Sequence, residues 1–375
     1  MLVGFDAKRA FCNTTGLGNY SRLLVSSLAD RYPDFRALLY SPQVKTQYGH
    51  FFDSYSNVAV CCPTGPYRAF PHLWRSAALS CRLASDRVDL FHGLSHELPL
   101  GLPASVPGLV TMHDLIAWRY PQYFGLADAK IHQLKQRHAC RVADVVVAIS
   151  QQTRRDLIDI MQVPPDKICV LYQSCDPMFW RPVSAEDVAA VRTRYALPER
   201  YVVCIGTIEQ RKNQLSVVRA MSLLPDDVHL LLVGRQRGAY ADEVLREVQR
   251  LRLSRRVRIL SHVAFSDFPA LYACSLASVY LSRFEGFGIP VLEALCSGAA
   301  VVTSPCSSLP EVGGDAVLYA DPDDVDALAR HILRLAHDNM FRASLLGKVQ
   351  HQVSQFSIPA TAAACYDLYR QLLQR

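Results

Sequence analysis

Short apolar runs bounded by glycine, proline or polar residues recur along the whole chain, with helical spacing between them. This alternation constrains the fold more than any other feature. Strands separated by helices pair in parallel, so the chain is expected to build parallel sheets from βαβ units. In the first half, strands are expected at residues 1–6, 36–41, 58–62, 90–92, 108–113, 145–149 and 168–172, with helices at 20–28, 73–83, 131–141 and 153–161. In the second half, strands are expected at 201–205, 229–233, 257–260, 278–281, 300–303 and 317–319. The halves share the alternation but no sequence repeat. With 375 residues, half of them apolar, there is material for two domains, each with its own core.

Residues 173–200 carry Pro177, Pro182 and Pro198 and lack an apolar strand, which marks them as the connection. The division expected is 1–180 and 181–358, with a last helix, 359–375, after Pro359. The net charge of +6 is mild and the bases are scattered. That excludes the dense clusters of a nucleic-acid binder and suits anionic small molecules and loose contact with an anionic membrane face. Twelve cysteines at irregular spacing, without a CxxC pair, read as free thiols of a reducing compartment rather than a disulfide or zinc framework. The opening MLVGFDAKRAF is too short and too charged for a signal peptide. No apolar run approaches the ~18 residues of a membrane span. A cytoplasmic chain is expected, at most touching the inner face of the membrane.

Residues 281–298, LSRFEGFGIPVLEALCSG, concentrate the chemistry. Glu285 and Glu293 bracket a glycine-rich turn between a strand and a helix. Pro290 suits a first helical turn, where its missing N–H is not needed, and Gly286 and Gly288 let backbone approach a ligand closely. The helix start offers N–H groups to an anion, and two carboxylates beside it suit sugar hydroxyls. A second block, YVVCIGTIEQRKN at 201–213, is a strand ending in Gly206 and followed by Arg211 and Lys212.

The first block resembles the glutamate–seven residues–glutamate motif of the retaining glycosyltransferases of family 4. The second resembles the strand–glycine–loop–Arg/Lys block with which that family holds a donor diphosphate. Both occur in the family's order and spacing, and the resemblance covers nearly the whole chain. It implies an α/β GT-B fold: two Rossmann-like, doubly wound parallel-sheet domains with a cleft between them, the last helix returning to the first domain. It implies that Glu293 takes ribose hydroxyls and Glu285 the hydroxyls of the transferred sugar. The backbone N–H groups of Phe287, Gly288 and Ile289 would face sugar and phosphate. Arg211 and Lys212 would pair with the diphosphate beside Gly206, stabilising the charge of the leaving group, with Glu209 and Asn213 orienting the loop.

In the first half, GLGNYS at 16–21 lacks the third glycine of a dinucleotide fingerprint, since Ser21 stands there. The family places such a loop over donor phosphates and acceptor, which implies that role for Gly16 and Gly18; a plain tight turn is the alternative. TMHD at 111–114, followed by LIAWRYP, resembles the family's histidine motif and implies that His113 faces the donor sugar, with Asp114 a weaker candidate. His92 and His96 are open between acceptor contact and packing. Ser150 is expected to cap the next helix. PYRAFPHLWR at 66–75 mixes aromatic and basic residues, which fits an interfacial or acceptor-facing segment or an ordinary loop leading into a helix; Leu73 and Trp74 are expected in the core. At 260–263 the chain reads LSHV, with Ser261 where the family has glycine, so the base remains open.

The activity implied is transfer of a hexosyl group, with retention, from a nucleoside-diphosphate sugar (GDP-mannose or a UDP-sugar) to a hydroxyl of a saccharide or lipid-linked saccharide in surface-glycan synthesis. No cofactor is implied, because the nucleotide sugar is a substrate. No metal is expected: Asp321, Asp323, Asp324 and Asp326 precede a helix, where capping accounts for them. A non-catalytic sugar-nucleotide-binding subunit and a sugar-nucleotide 2-epimerase are the alternatives.

Overall fold

A computed structural model describes residues 1–236 and 238–374. They form two units, Met1–Ser174 with Phe356–Arg375, and Cys175–Gln355.

The first unit holds seven parallel strands: β1 (Leu2–Asp6), β2 (Arg36–Tyr40), β3 (Val58–Cys61), β4 (Leu90–Gly93), β5 (Gly108–Met112), β6 (Val145–Ala148) and β7 (Ile168–Val170). Their order in the sheet is β3-β2-β1-β4-β5-β6-β7. Every residue of β4, β5 and β6 is buried, as expected of a parallel sheet covered on both faces. Alternate side chains serve the two faces. Phe5, Leu90, Leu109, Val145 and Val147 join one cluster, and Phe91, Val110, Met112, Val146 and Ala148 the other.

The last helix, Ile358–Leu373, belongs to this unit and packs on the helix Gly16–Arg31. Ser357 caps it, and Tyr366 stacks on Tyr32 with centroids 3.7 Å apart. Beneath it runs a buried polar chain: the Tyr369 hydroxyl meets His92 Nδ1 at 2.6 Å, His92 Nε2 meets Thr111 Oγ1 at 2.8 Å, and Tyr20 reaches the same Thr111 at 3.2 Å. His92 is thus a fully buried packing residue, and burial pushes its pKa down to about 3.

The second unit holds six parallel strands: β8 (Arg200–Ile205), β9 (Val228–Val233), β10 (Val257–Leu260), β11 (Ala277–Tyr280), β12 (Val301–Thr303) and β13 (Leu318–Tyr319). Their order is β10-β9-β8-β11-β12-β13.

Some local readings differ from expectation. The stretch 173–200 is structured. Asp176 caps a short turn at Pro177–Trp180, and Ser184 caps the helix Ala185–Arg194. Phe179 packs edge-on against Phe265 at 5.6 Å, which ties residues 175–180 to the second unit rather than the first. The helix expected from residue 20 starts at Gly16, because Thr15 is extended and the glycines form the first turn. Trp74 is buried, but Leu73 is 58% exposed; a π turn at Trp74–Ala78 interrupts the helical spacing that placed both inward. All twelve cysteines are free, with Cys140, Cys175, Cys204 and Cys365 buried and Cys62 and Cys81 exposed. No described helix is long and apolar enough to cross a membrane.

Candidate functional site

Strands β8 and β11 are neighbours in the second sheet, so the loops leaving their carboxyl ends lie side by side, where open α/β sheets bind ligands. The two sequence blocks occupy those loops. The N–H of Arg283 donates to the Arg211 carbonyl at 2.8 Å, and the Ser282 hydroxyl oxygen lies 3.2 Å from the same oxygen.

After β8 the chain passes Gly206 at φ 144°. A Cβ there would lie 2.7 Å from Lys212 Nζ. Glycine is therefore what lets the lysine amine lie against the strand end. That amine also sits 5.7 Å from the centre of the Tyr280 ring. Among the described residues Lys212 makes no ion pair. Arg211 differs. Its Nη2 donates to Glu209 Oε1 at 2.6 Å, and its Nη1 to Glu285 Oε1 at 2.5 Å and to the Phe284 carbonyl at 2.6 Å. Asn213, in the left-handed region, donates to the Pro322 carbonyl at 2.7 Å. Glu209 and Asn213 thus hold the loop's shape.

After β11, Glu285 is held by three donors on one oxygen. Besides Arg211, Oε1 accepts from the Tyr280 hydroxyl at 2.6 Å and the Ser282 hydroxyl at 2.9 Å. Burial raises the pKa of this carboxyl, but the Arg211 charge, then Lys212 and the two hydroxyls, outweigh it and hold it below the usual value. The loop is pinned from beneath. Ser307 accepts the Glu285 N–H at 2.9 Å, and the Ser308 hydroxyl donates to the carbonyls of Glu285 and Phe287 at 2.9 and 2.7 Å. Gly288 then turns left-handed at φ 113° and starts the helix Ile289–Cys296. A Cβ on it would meet Leu309 Cδ2 at 2.7 Å. Phe287, Gly288 and Ile289 thus stand at the amino end of that helix, with Pro290 in its first turn.

Glu293 lies one turn further on and is 7% exposed. The Tyr272 hydroxyl donates to its Oε2 over a long 3.5 Å. Burial, then the nearby Asp176 charge, push its pKa up to about 8, which Tyr272 and Lys212 only partly oppose. A buried carboxyl with so little protein support is poised to accept hydroxyl donors.

The aspartates at 321–326 serve the loop and helix. Asp323 pairs with Arg283, Asp324 caps the helix Val325–His337 through the Ala327 N–H at 2.8 Å, and Asp321 accepts from the Asp323 N–H at 2.9 Å. Among the described residues no group of three or more His, Cys, Asp or Glu is arranged to hold a metal ion.

In the first unit, His113 follows β5 and is 5% exposed. Its Nε2–H donates to the Leu94 carbonyl at 2.9 Å, which leaves the lone pair on Nδ1. The ring stands edge-on to Tyr20 at 4.7 Å and to His96 at 5.3 Å. Burial, then the His96 charge, lower its pKa to about 3, so it is neutral. His96 is likewise lowered to about 3, chiefly by burial, and accepts from Gln136 at 3.2 Å. Asp114 accepts the Ile116 N–H at 3.0 Å, and Ser150 caps the next helix as expected, accepting the Thr153 N–H at 3.0 Å. Gly18 is needed locally, since a Cβ would lie 2.0 Å from the Asn13 carbonyl oxygen; Gly16 faces open space. The sequence reading missed a buried ionic chain nearby. Arg75 pairs with Asp6 and, at 2.6 Å, with Glu97, which also meets Lys135 at 3.2 Å. It missed Tyr272, Tyr280 and Ser282 as well. Tyr272 is brought to Glu293 from 21 residues away, and Tyr280 and Ser282, though five and three residues from Glu285, belong to no motif that flags them.

Residues 14–178 match the family described as Glycosyltransferase Family 4, and residues 191–351 match Glycosyl transferases group 1. The chain is 32% identical over 287 residues to the O-antigen chain mannosyltransferase B of Escherichia coli, an alignment covering 76% of this chain and 74% of that protein. It is 28% identical over 297 residues to the serotype-specific mannosyltransferase WbdA of Escherichia coli, covering 76% of this chain but 36% of that longer protein. The fold matches that of Anabaena HepE, crystallised with UDP and glucose, with a TM-score of 0.78 at 20% identity, over 99% of this chain and 100% of that one. The chain therefore belongs to the group 1, family 4 glycosyltransferases of the GT-B fold.

Proposed function

We propose that the chain transfers a hexosyl group, in the first instance mannosyl, from a nucleoside-diphosphate sugar to a hydroxyl of a saccharide or lipid-linked saccharide in surface polysaccharide synthesis, with retention at the anomeric carbon and without a metal ion. The observation that carries this reading is Glu293. It is a buried carboxyl with a long hydrogen bond from Tyr272, beside a left-handed glycine, a helix start and a lysine that makes no ion pair among the described residues. Ribose hydroxyls on Glu293, a diphosphate between Lys212 and the helix start, and sugar hydroxyls on Glu285 match that chemistry. The names of the two Escherichia coli relatives favour mannose and an O-antigen-like acceptor.

In the step itself the bond from the anomeric carbon to the phosphate oxygen breaks. The acceptor oxygen bonds the same carbon on the same face, and its proton passes to the departing phosphate. Lys212 and the helix start oppose the negative charge that grows on that phosphate. On the first unit, the neutral His113 offers its Nδ1 lone pair to a saccharide hydroxyl. Work at the inner face of the membrane belongs to the same proposal. The test is a panel of UDP- and GDP-sugars with the acceptor supplied, scored by nucleotide release and by NMR of the product's anomeric configuration. Turnover of one donor with retention is expected; inversion, or release from none, contradicts the proposal.

A further inference from the structure

We infer that Arg211 is a positioning residue for Glu285 rather than a ligand of the diphosphate, and that Glu209 and Tyr280 complete the device that aims Glu285. The inference rests on the proposed reading, in which Glu285 faces the transferred sugar and Lys212 the diphosphate.

The guanidinium nitrogens Nη1 and Nη2 are already committed, to Glu285, the Phe284 carbonyl and Glu209, and the side chain is only 14% exposed. Turning this fork to a diphosphate would take it from Glu285 and Glu209, whose side chains are 13% and 22% exposed, and parting a charge pair this shielded is costly. Lys212, next along the chain, lies on Gly206 and makes no ion pair among the described residues. Two carboxylates balance Arg211, so its charge is largely cancelled before any ligand arrives, whereas that of Lys212 is not. The three donors to Glu285 all fall on Oε1. They fix the carboxylate's rotamer and leave Oε2 for a sugar hydroxyl. Tyr280 couples the two functions, since its hydroxyl holds Glu285 while its ring lies under the Lys212 amine. An acid held by locked neighbours keeps its geometry through turnover.

The titratable and charged groups facing Glu285 are Arg211 and Lys212 from the loop after β8, with Glu209 behind Arg211, and Tyr280 from β11; the Ser282 hydroxyl completes the set. Since Arg211 leads the groups holding Glu285 ionised against burial, its loss raises the Glu285 pKa. The acidic limb of the pH–rate profile then moves to higher pH.

The experiment uses the full chain, with GDP and UDP as binding probes by calorimetry, steady-state kinetics and pH–rate profiles. Lys212→Met is expected to lose roughly tenfold or more in nucleotide affinity. Arg211→Met is expected to keep affinity within about threefold while kcat falls roughly a hundredfold and the acidic limb rises. Arg211→Lys restores part of the limb. Tyr280→Phe, which keeps the ring and the fold, moves the limb in the same direction with about a tenfold loss in kcat. Glu209→Gln lowers kcat without weakening nucleotide binding. If Arg211→Met loses as much nucleotide affinity as Lys212→Met and the limb stays in place in both Arg211→Met and Tyr280→Phe, Arg211 is a diphosphate ligand and the inference is overturned. If the unaltered chain binds neither nucleotide, the reading beneath the inference fails, and the inference with it.

Discussion

Glu293 yields a prediction that does not depend on knowing the donor sugar. Its carboxyl is buried and carries a pKa of about 8, against 4.5 for the ordinary side chain. At pH 7 it is therefore about nine-tenths protonated in the unliganded protein. Ribose hydroxyls donate to the ionised form, so nucleotide binding lowers this pKa and expels the proton. Calorimetry of GDP and UDP binding at pH 7, in buffers of different ionisation enthalpy, should report release of up to ~0.9 proton per nucleotide from this group. The release should fade by pH 9 and vanish in Glu293→Gln. The same group sets a stability trend. A carboxyl raised in the folded state stabilises fully below its unfolded pKa, and that stabilisation is lost as pH rises through the folded pKa. Each pH unit between 4.5 and about 8 then removes about 1.36 kcal/mol, up to ~5 kcal/mol in all. Urea unfolding at pH 5 and pH 9 should show a decline in the unaltered chain that is smaller in Glu293→Gln. Equal proton release in both proteins, or none in either, would refute the reasoning.

Gly288→Ala should destabilise the second unit by about 1–3 kcal/mol, because φ is 113° and the new Cβ would meet Leu309 Cδ2 at 2.7 Å; thermal denaturation checks it. Tyr369→Phe removes the hydroxyl that meets buried His92 at 2.6 Å and should cost about 1–3 kcal/mol of stability in the first unit without changing nucleotide affinity. Activity should survive excess EDTA, and Asp323→Ala should change nucleotide affinity little, since its ion pair with Arg283 is largely exposed. Turnover lost in EDTA and restored by magnesium or manganese would revive the aspartates as a metal site.

The fold was legible because parallel strands buried on both faces announce themselves as apolar runs. All thirteen described strands lie where such runs were expected, give or take a residue or two. The glutamate and Arg-Lys blocks were legible by resemblance, while the adjacency of their loops follows only from β8 and β11 being neighbours in the sheet. What each side chain does there was not. Arg211 and Lys212 look equivalent in sequence, yet one is gripped by Glu209 and Glu285 while the other lies on Gly206. That difference depends on Glu285 and Phe284, in a loop some 70 residues away. Leu73 was misplaced for a related reason, since a π turn shifts the helical register that a 3.6-residue period assumes. His92 could be read as packing or ligand until the last helix was seen to cover it with Tyr369.

The central claim is retaining hexosyl transfer from a nucleotide sugar held by Glu293, Lys212 and Glu285. The most direct test is to follow GDP-mannose turnover with a mannose-terminated acceptor in EDTA and assign the anomeric configuration of the product by NMR. The account predicts GDP release coupled to an α-linked product from the α-linked donor, abolished in Glu285→Ala at unchanged nucleotide affinity. A β-linked product, or turnover unchanged in Glu285→Ala, would contradict it.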